Sequence, residues 1–254
     1  GRNGCQSMIK FTFKPARRVA LGLLMAARPV FAFAATEVHL EHSGVNIKDR
    51  ASLQRGAALF VNYCSGCHSL EFQRYSRMAE DLGLSEEQVT KNLIFTDAKF
   101  GGPMKSALTA KEGEKWFGKA PPDLSLVARS KLGGPDLTYT FLKSFYADES
   151  RPSGWNNTVL AGASMPNVLW ELRGVQRPVL NAEGHVERLE LASPGSLSPE
   201  DYDKTVRDLT NFLNYVGEPS ASQRRSVGVG VLAFLAVFTF LAWLLKKEYW
   251  KDVH

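Results

Sequence analysis

Apolar residues recur at three- and four-residue spacing in two stretches of the chain. Between Arg50 and about Tyr63, the residues Leu53, Gly56, Ala57 and Phe60 share one face, and Asp49 stands where a helix needs an N-cap. The second stripe is Tyr202, Val206, Leu209, Leu213 and Val216. It is bracketed by Ser198 as N-cap, Pro199 at the first helical position, Asp201 reaching back to the cap, and Gly217 as the stop. Val168 to Arg173 and His185 to Leu191, separated by Pro and Gly, read as the two strands of a hairpin. Gly101-Gly102-Pro103, Pro121-Pro122 and Gly133-Gly134-Pro135 punctuate the middle of the chain. A loop-rich middle of this kind needs something rigid to wrap around.

Both ends break the amphipathic pattern. Val227 to Leu245 is 19 residues without a charge, about 28 Å of helix, which matches the hydrocarbon core of a bilayer. Lys246, Lys247, Tyr249, Trp250 and Lys251 follow, a tail suited to a membrane interface. At the start, Lys10, Lys14, Arg17 and Arg18 precede the apolar run Val19 to Ala27, and Ala32-Phe33-Ala34 offers small residues to a signal peptidase. The expected organisation is a leader over 1–34, cut after Ala34, with Gly1 to Ser7 and Cys5 upstream of a start at Met8. An exported domain over 35–225, a membrane helix over 226–245 and a cytoplasmic tail over 246–254 follow. A retained N-terminal anchor is the alternative for the leader.

Charge refines this picture. The chain carries 31 Lys and Arg against 26 Asp and Glu, but Ala35 to Arg225 alone has 22 positive and 24 negative charges. The basic excess therefore belongs to the ends, which excludes a nucleic-acid footprint on a folded face. A hydrophobic content of 44% excludes disorder. The acidic pairs Glu80-Asp81, Glu86-Glu87 and Asp148-Glu149 read equally as solvated helix faces or as a rim that steers a basic partner protein.

Cys64-Ser65-Gly66-Cys67-His68 carries the chemistry. C-x-x-C-H is the attachment pattern of haem c: each thiol adds to one vinyl group, and the histidine is carried under the iron. A zinc site wants a second ligand pair, and no other Cys remains after export. A thioredoxin-like dithiol wants the motif to open a helix, whereas here a helix precedes it. A structural disulfide stays open on cysteine count alone. For a sixth ligand the candidates are Met78, Met104, Met165 and His185. Met165 is favoured by its setting, Ala161-Gly162-Ala163-Ser164-Met165-Pro166-Asn167, where small residues let backbone approach a porphyrin; Met104, after Gly102-Pro103, stays open as the alternative.

Arg55-Gly56, the C-x-x-C-H motif followed by Ser69-Leu70, Pro121-Pro122-Asp123-Leu124-Ser125, Gly162 to Leu169, and Tyr215-Val216-Gly217-Glu218-Pro219 before one C-terminal span occur in that order. In this the chain resembles the cytochrome c1 family, the haem c subunits of bacterial ubiquinol:cytochrome c oxidoreductases. The resemblance implies a mostly α fold, a cytochrome c-like haem domain with loop-rich insertions plus one C-terminal transmembrane helix. It implies one covalent haem c with Cys64 and Cys67 as thioether attachments, His68 as proximal ligand and Met165 as distal ligand. A carbonyl of Pro121 or Pro122 would accept the free imidazole N–H of His68, and Arg129 would lie near a haem propionate. Ala163 and Leu137 are smaller than the Met or Tyr that the likeness implies there.

The implied role is single-electron relay from a Rieske iron-sulfur protein to a cytochrome c, beside cytochrome b in a respiratory chain, with no substrate site of its own. The implied location is the bacterial inner membrane, with the haem domain in the periplasm. A free-standing tethered shuttle and a haem-based ligand sensor are the competing readings.

Overall fold

The structure, a computed structural model, describes residues 39–252. The expected leader over 1–34, Cys5 included, lies outside the described residues. Two long helices frame the domain. α1 (Arg50–Tyr63) starts where Asp49 accepts from the Ser52 amide at 3.0 Å. It buries Leu53, Gly56, Ala57, Phe60 and Val61. Near the C-terminal end of the domain, α8 (Pro199–Gly217) starts where Ser198 accepts from the Asp201 amide at 3.1 Å and donates to the Asp201 carboxylate at 2.7 Å. All five residues of its expected stripe are buried.

The two helices cross at Gly56. A Cβ placed there would lie 2.1 Å from the Asp208 carbonyl oxygen and 2.6 Å from Phe212 Cβ, so only glycine permits the approach. Around the crossing, Phe60 and Phe212 rings stand 5.9 Å apart. Arg55 makes a two-pronged ion pair with Asp208, at 2.5 and 3.0 Å. Asn211 Nδ2 donates to Ser52 Oγ and to the Asn46 carbonyl.

Between these helices lie β1 (Leu70–Arg74), α2 (Tyr75–Leu82), α3 (Glu86–Asn92), β2 (Pro103–Met104), α4 (Ala110–Phe117), α5 (Val127–Ser130), α6 (Gly134–Lys143), β3 (Phe145–Ala147), β4 (Trp155–Asn157), α7 (Trp170–Arg173), β5 (Gly174–Leu180) and β6 (Val186–Pro194). The middle expected as loops thus holds several short helices. α3 and α4 each open on a capping box, Ser85 with Gln88 and Thr109 with Glu112. The strands form three two-stranded antiparallel ribbons, β1 with β2, β3 with β4, and β5 with β6.

Two expectations need correction. The first strand of the hairpin is Gly174 to Leu180, whereas Trp170 to Arg173 is a single helical turn. Asn167 caps the Leu169 amide and Leu169 enters the core, so the chain turns before it extends. Pro178 disguises the true strand, yet a two-stranded ribbon tolerates it because one edge of every strand is unpaired. Gly217 is also not a left-handed stop, since it has no positive φ. It is the last residue of α8, and the chain leaves the helix at Glu218, held out of the helical region by the following Pro219.

The last helix, α9 (Ala221–Tyr249), has 29 residues, about 43 Å, and outruns the uncharged segment at both ends. The 18-residue apolar window within Val227–Tyr249 has a mean hydropathy of 2.4 and is 0% buried. Lys247 lies over the Trp243 ring at 4.6 Å and Lys246 over Trp250 at 5.2 Å, an aromatic and cationic belt at one end of a membrane span.

Candidate haem c site

α1 runs directly into the C-x-x-C-H motif. The amides of Cys64 and Ser65 both donate to the Phe60 carbonyl, at 2.8 and 2.9 Å. Those of Cys67 and His68 both donate to the Cys64 carbonyl, at 3.1 and 2.8 Å. The motif is therefore wound as one more turn on the end of the helix. Ser106 Oγ pins its outer edge by donating to the Gly66 carbonyl at 2.8 Å. The two thiols are not joined in a disulfide. Burial, with Cys67 adding to it, pushes the Cys64 thiol up to about 12, the reverse of what a redox dithiol needs.

The proline segment is sewn along the chain that leaves the motif. His68 Nδ1 and the Pro122 carbonyl are 2.7 Å apart. Since a carbonyl only accepts, Nδ1 carries the proton and Nε2 keeps its lone pair. Leu124 N donates to the Ser69 carbonyl, Glu71 N to Asp123 Oδ2, and Phe72 N to Ser125 Oγ. The Pro121 ring seats on α4 at Gly113, where a Cβ would come within 2.5 Å of Pro121 Cδ. Burial lowers the His68 pKa against the opposing pull of the Pro122 hydrogen bond and of Asp123, which favours the neutral ring that a metal binds.

Packing separates the sixth-ligand candidates. Met78 and Met104 are core residues at 0% and 3% exposure, and Met104 faces Leu70 across the β1–β2 ribbon. His185 is exposed at the turn between β5 and β6. Met165 is half-buried on the loop after β4, outside the apolar core. Arg129 is ion-paired with Glu218, which also holds Arg224, so it ties α5 to the junction of α8 and α9. Asp81 accepts from Arg77 and from the Tyr215 hydroxyl, and Asp148 from Ser150 and Asn156, so two of the three acidic pairs have structural work within the domain.

Sequence reasoning missed Arg151, Asn156 and Asn157, which organise the Met165 loop. Asn157 Oδ1 accepts from the Val159 and Leu160 amides, and its Nδ2 donates to the Phe141 carbonyl. The signal was there in the Asn-Asn pair before an irregular segment, because asparagine amides satisfy loop backbone. The donor set suits haem c: an oriented imidazole with a free Nε2, two unpaired thiols on one turn, and a thioether that core packing does not claim. No cluster of three or more His, Cys, Asp or Glu that would hold a bare metal ion exists among the described residues.

A helix-borne C-x-x-C-H turn with its imidazole oriented by a proline carbonyl, on a mostly helical domain followed by an apolar span, defines the class of anchored c-type cytochromes. Residues 41–253 match the Cytochrome C1 family, and the chain belongs to that family. It is 48% identical to cytochrome c1 of Allochromatium vinosum over 242 residues, covering 93% of this chain and 98% of the relative. It is 45% identical to the ammonia monooxygenase gamma subunit of Nitrosomonas europaea over 218 residues, 86% of this chain and 90% of that one. Cytochrome b/c1 of Bradyrhizobium diazoefficiens matches at 26% over 81% of this chain and 34% of its own length.

Proposed function

We propose that this chain is the membrane-anchored haem c subunit of a quinol:cytochrome c oxidoreductase, relaying single electrons from a Rieske iron-sulfur protein to a cytochrome c. The observation that carries the reading is the 2.7 Å contact between His68 Nδ1 and the Pro122 carbonyl, which leaves Nε2 of a C-x-x-C-H histidine free to ligate. When bound, a haem c supplies reversible one-electron iron chemistry. Cys64 and Cys67 would hold it through thioether bonds, and His68 Nε2 and Met165 Sδ would ligate its iron. With both ligands supplied by the chain, the site would offer no place for substrate, and the weak thioether donor would raise the potential. Pro122 orients His68, as a partner behind a ligand does. Pro121 packs against α4 beside it, and Arg129, ion-paired with Glu218, is the cation the resemblance assigns to a propionate.

Partner and orientation belong to the same reading. The Bradyrhizobium relative's name joins b and c1, which supports cytochrome b as neighbour. Residues 35–225 are placed in the periplasm and 246–254 in the cytoplasm of a bacterial inner membrane, with 226–245 as the span and 1–34 as leader. A pyridine haemochrome assay on the purified chain tests the cofactor: one haem that acid acetone fails to extract is expected, and an extractable one refutes attachment. Co-purification with cytochrome b and an iron-sulfur protein tests the complex. Recovery with a monooxygenase instead supports the function named for the Nitrosomonas relative, and recovery alone supports a free shuttle. Strong carbon monoxide binding by the ferrous form supports a sensor.

A further inference from the structure

The loop that carries Met165 is gripped three residues upstream of it, at a single peptide position. Arg151 Nη2 donates to the Gly162 carbonyl at 2.8 Å, and the Gly162 amide donates to Asn156 Oδ1 at 2.8 Å. Side chains thus hold both polar groups of one residue from opposite directions. Gly162 has φ +75°, and a Cβ there would meet Arg151 Nη2 at 3.5 Å and Cζ at 3.8 Å, so the guanidinium lies across its Cα. The grip is itself anchored. Asn156 Nδ2 donates to Asp148 Oδ2 at 2.8 Å, which fixes which way the amide faces and aims Oδ1 at Gly162. Asn156 sits on β4, paired with Tyr146 of β3, and the Arg151 amide donates to the Asp148 carbonyl at 3.1 Å. Arg151 Nε is buried and bonds to nothing among the described residues.

We infer that Arg151 and Asn156 are positioning residues for the sixth ligand: they set how far the Met165 sulfur reaches and how often its loop swings away. The inference rests on the reading of Met165 as iron ligand. A thioether is a weak donor, so its hold on iron depends on the loop that presents it more than on the bond itself. A loop after a three-residue strand, buried at Ala163 but exposed at Ala161, Gly162 and Ser164, packs through one small side chain and needs further restraint to stay closed. The guanidinium and the amide supply that restraint from a ribbon whose own register is set by β3. Releasing one of them leaves Met165 its chemistry and weakens only its placement.

The test compares Arg151→Gln, Asn156→Ala and Met165→Leu in the full haem-loaded chain in detergent. The readouts are the charge-transfer band of methionine-ligated ferric haem, the midpoint potential, and carbon monoxide binding by the ferrous form. Met165→Leu should abolish the band. Arg151→Gln and Asn156→Ala should each keep a weakened band, lower the potential in the same direction, and raise the carbon monoxide-reactive fraction about tenfold, the effect of losing one hydrogen bond that holds the loop closed. Wild-type band, potential and reactivity in Asn156→Ala, beside an open iron in Met165→Leu, would overturn the positioning role even if Arg151→Gln failed to accumulate. An intact band in Met165→Leu would instead overturn the ligand assignment on which it rests.

Discussion

Replacing Gly56 by alanine attacks the contact on which the domain is framed. The added Cβ would stand 2.1 Å from a main-chain oxygen of α8, where ordinary contact begins near 3.4 Å. The obstacle is backbone, so relief requires α1 and α8 to part by about 1.3 Å, and a gap of that size forfeits much of the dispersion between the facing side chains. Overpacking of this kind costs about 3 kcal/mol. Weakening the Arg55–Asp208 and Asn211–Ser52 bonds at the same crossing adds about 1 kcal/mol each. Alanine returns about 1 kcal/mol of helix propensity, leaving a net loss of about 4 kcal/mol. For a domain of this size that lowers Tm by about 10 °C. Thermal unfolding of the detergent-solubilised haem-loaded chain, followed by circular dichroism and Soret absorption, measures it. Gly228→Ala, where a Cβ meets nothing within 4 Å, serves as control. A fall of less than about 3 °C for Gly56→Ala, equivalent to roughly 1 kcal/mol, would refute the account of the crossing.

Three further predictions follow from the same geometry. Met104→Leu should cost under about 1.5 kcal/mol, as shape-conserving core exchanges do, and leave the absorption spectrum unmoved; loss of the methionine–iron band in that variant would hand the ligand role to Met104. At the Arg55–Asp208 pair, the carboxylate is 7% exposed and the guanidinium 47%. Arg55→Met, which strands the buried charge, should therefore cost about 3 kcal/mol, against about 1 kcal/mol for Asp208→Asn, where Arg55 regains water; urea titration of the two variants checks the order. For Asp136, burial works against ionisation, but the Ser43 hydroxyl and amide and then His42 outweigh it and hold the carboxyl below its usual range. A depressed value contributes stability above the unfolded pKa and loses it as pH falls through the folded one, so the Ser43 amide should lose protection, taken relative to its intrinsic exchange rate at each pH, on acidification and not on alkalinisation. Asp136→Asn should show fast exchange at neutral pH.

The capped ends of α1 and α8, their buried stripes and the apolar span were legible in the sequence because each rests on chemistry within one turn or one periodicity: Asp49 before Ser52, Ser198 before Asp201, uncharged residues from Val227 onward. The C-x-x-C-H turn is equally local. The order of segments carried the family. Other features depended on contacts between residues far apart in the chain. Which proline carbonyl meets His68 is decided by the strap running beside residues 68–72, more than fifty positions away. Met78 and Met104 are set apart from Met165 only by burial, which no spacing reveals. The first strand of the hairpin was hidden because Pro178 forbids a ladder bond that a two-stranded ribbon does not require. Gly56 falls on an apolar face in the sequence, but that it must be glycine is a fact about the Asp208 carbonyl on the other side of the crossing. Arg151 and Asn156, polar residues in an irregular stretch, gain their place at Gly162 only through the ribbon that brings them there.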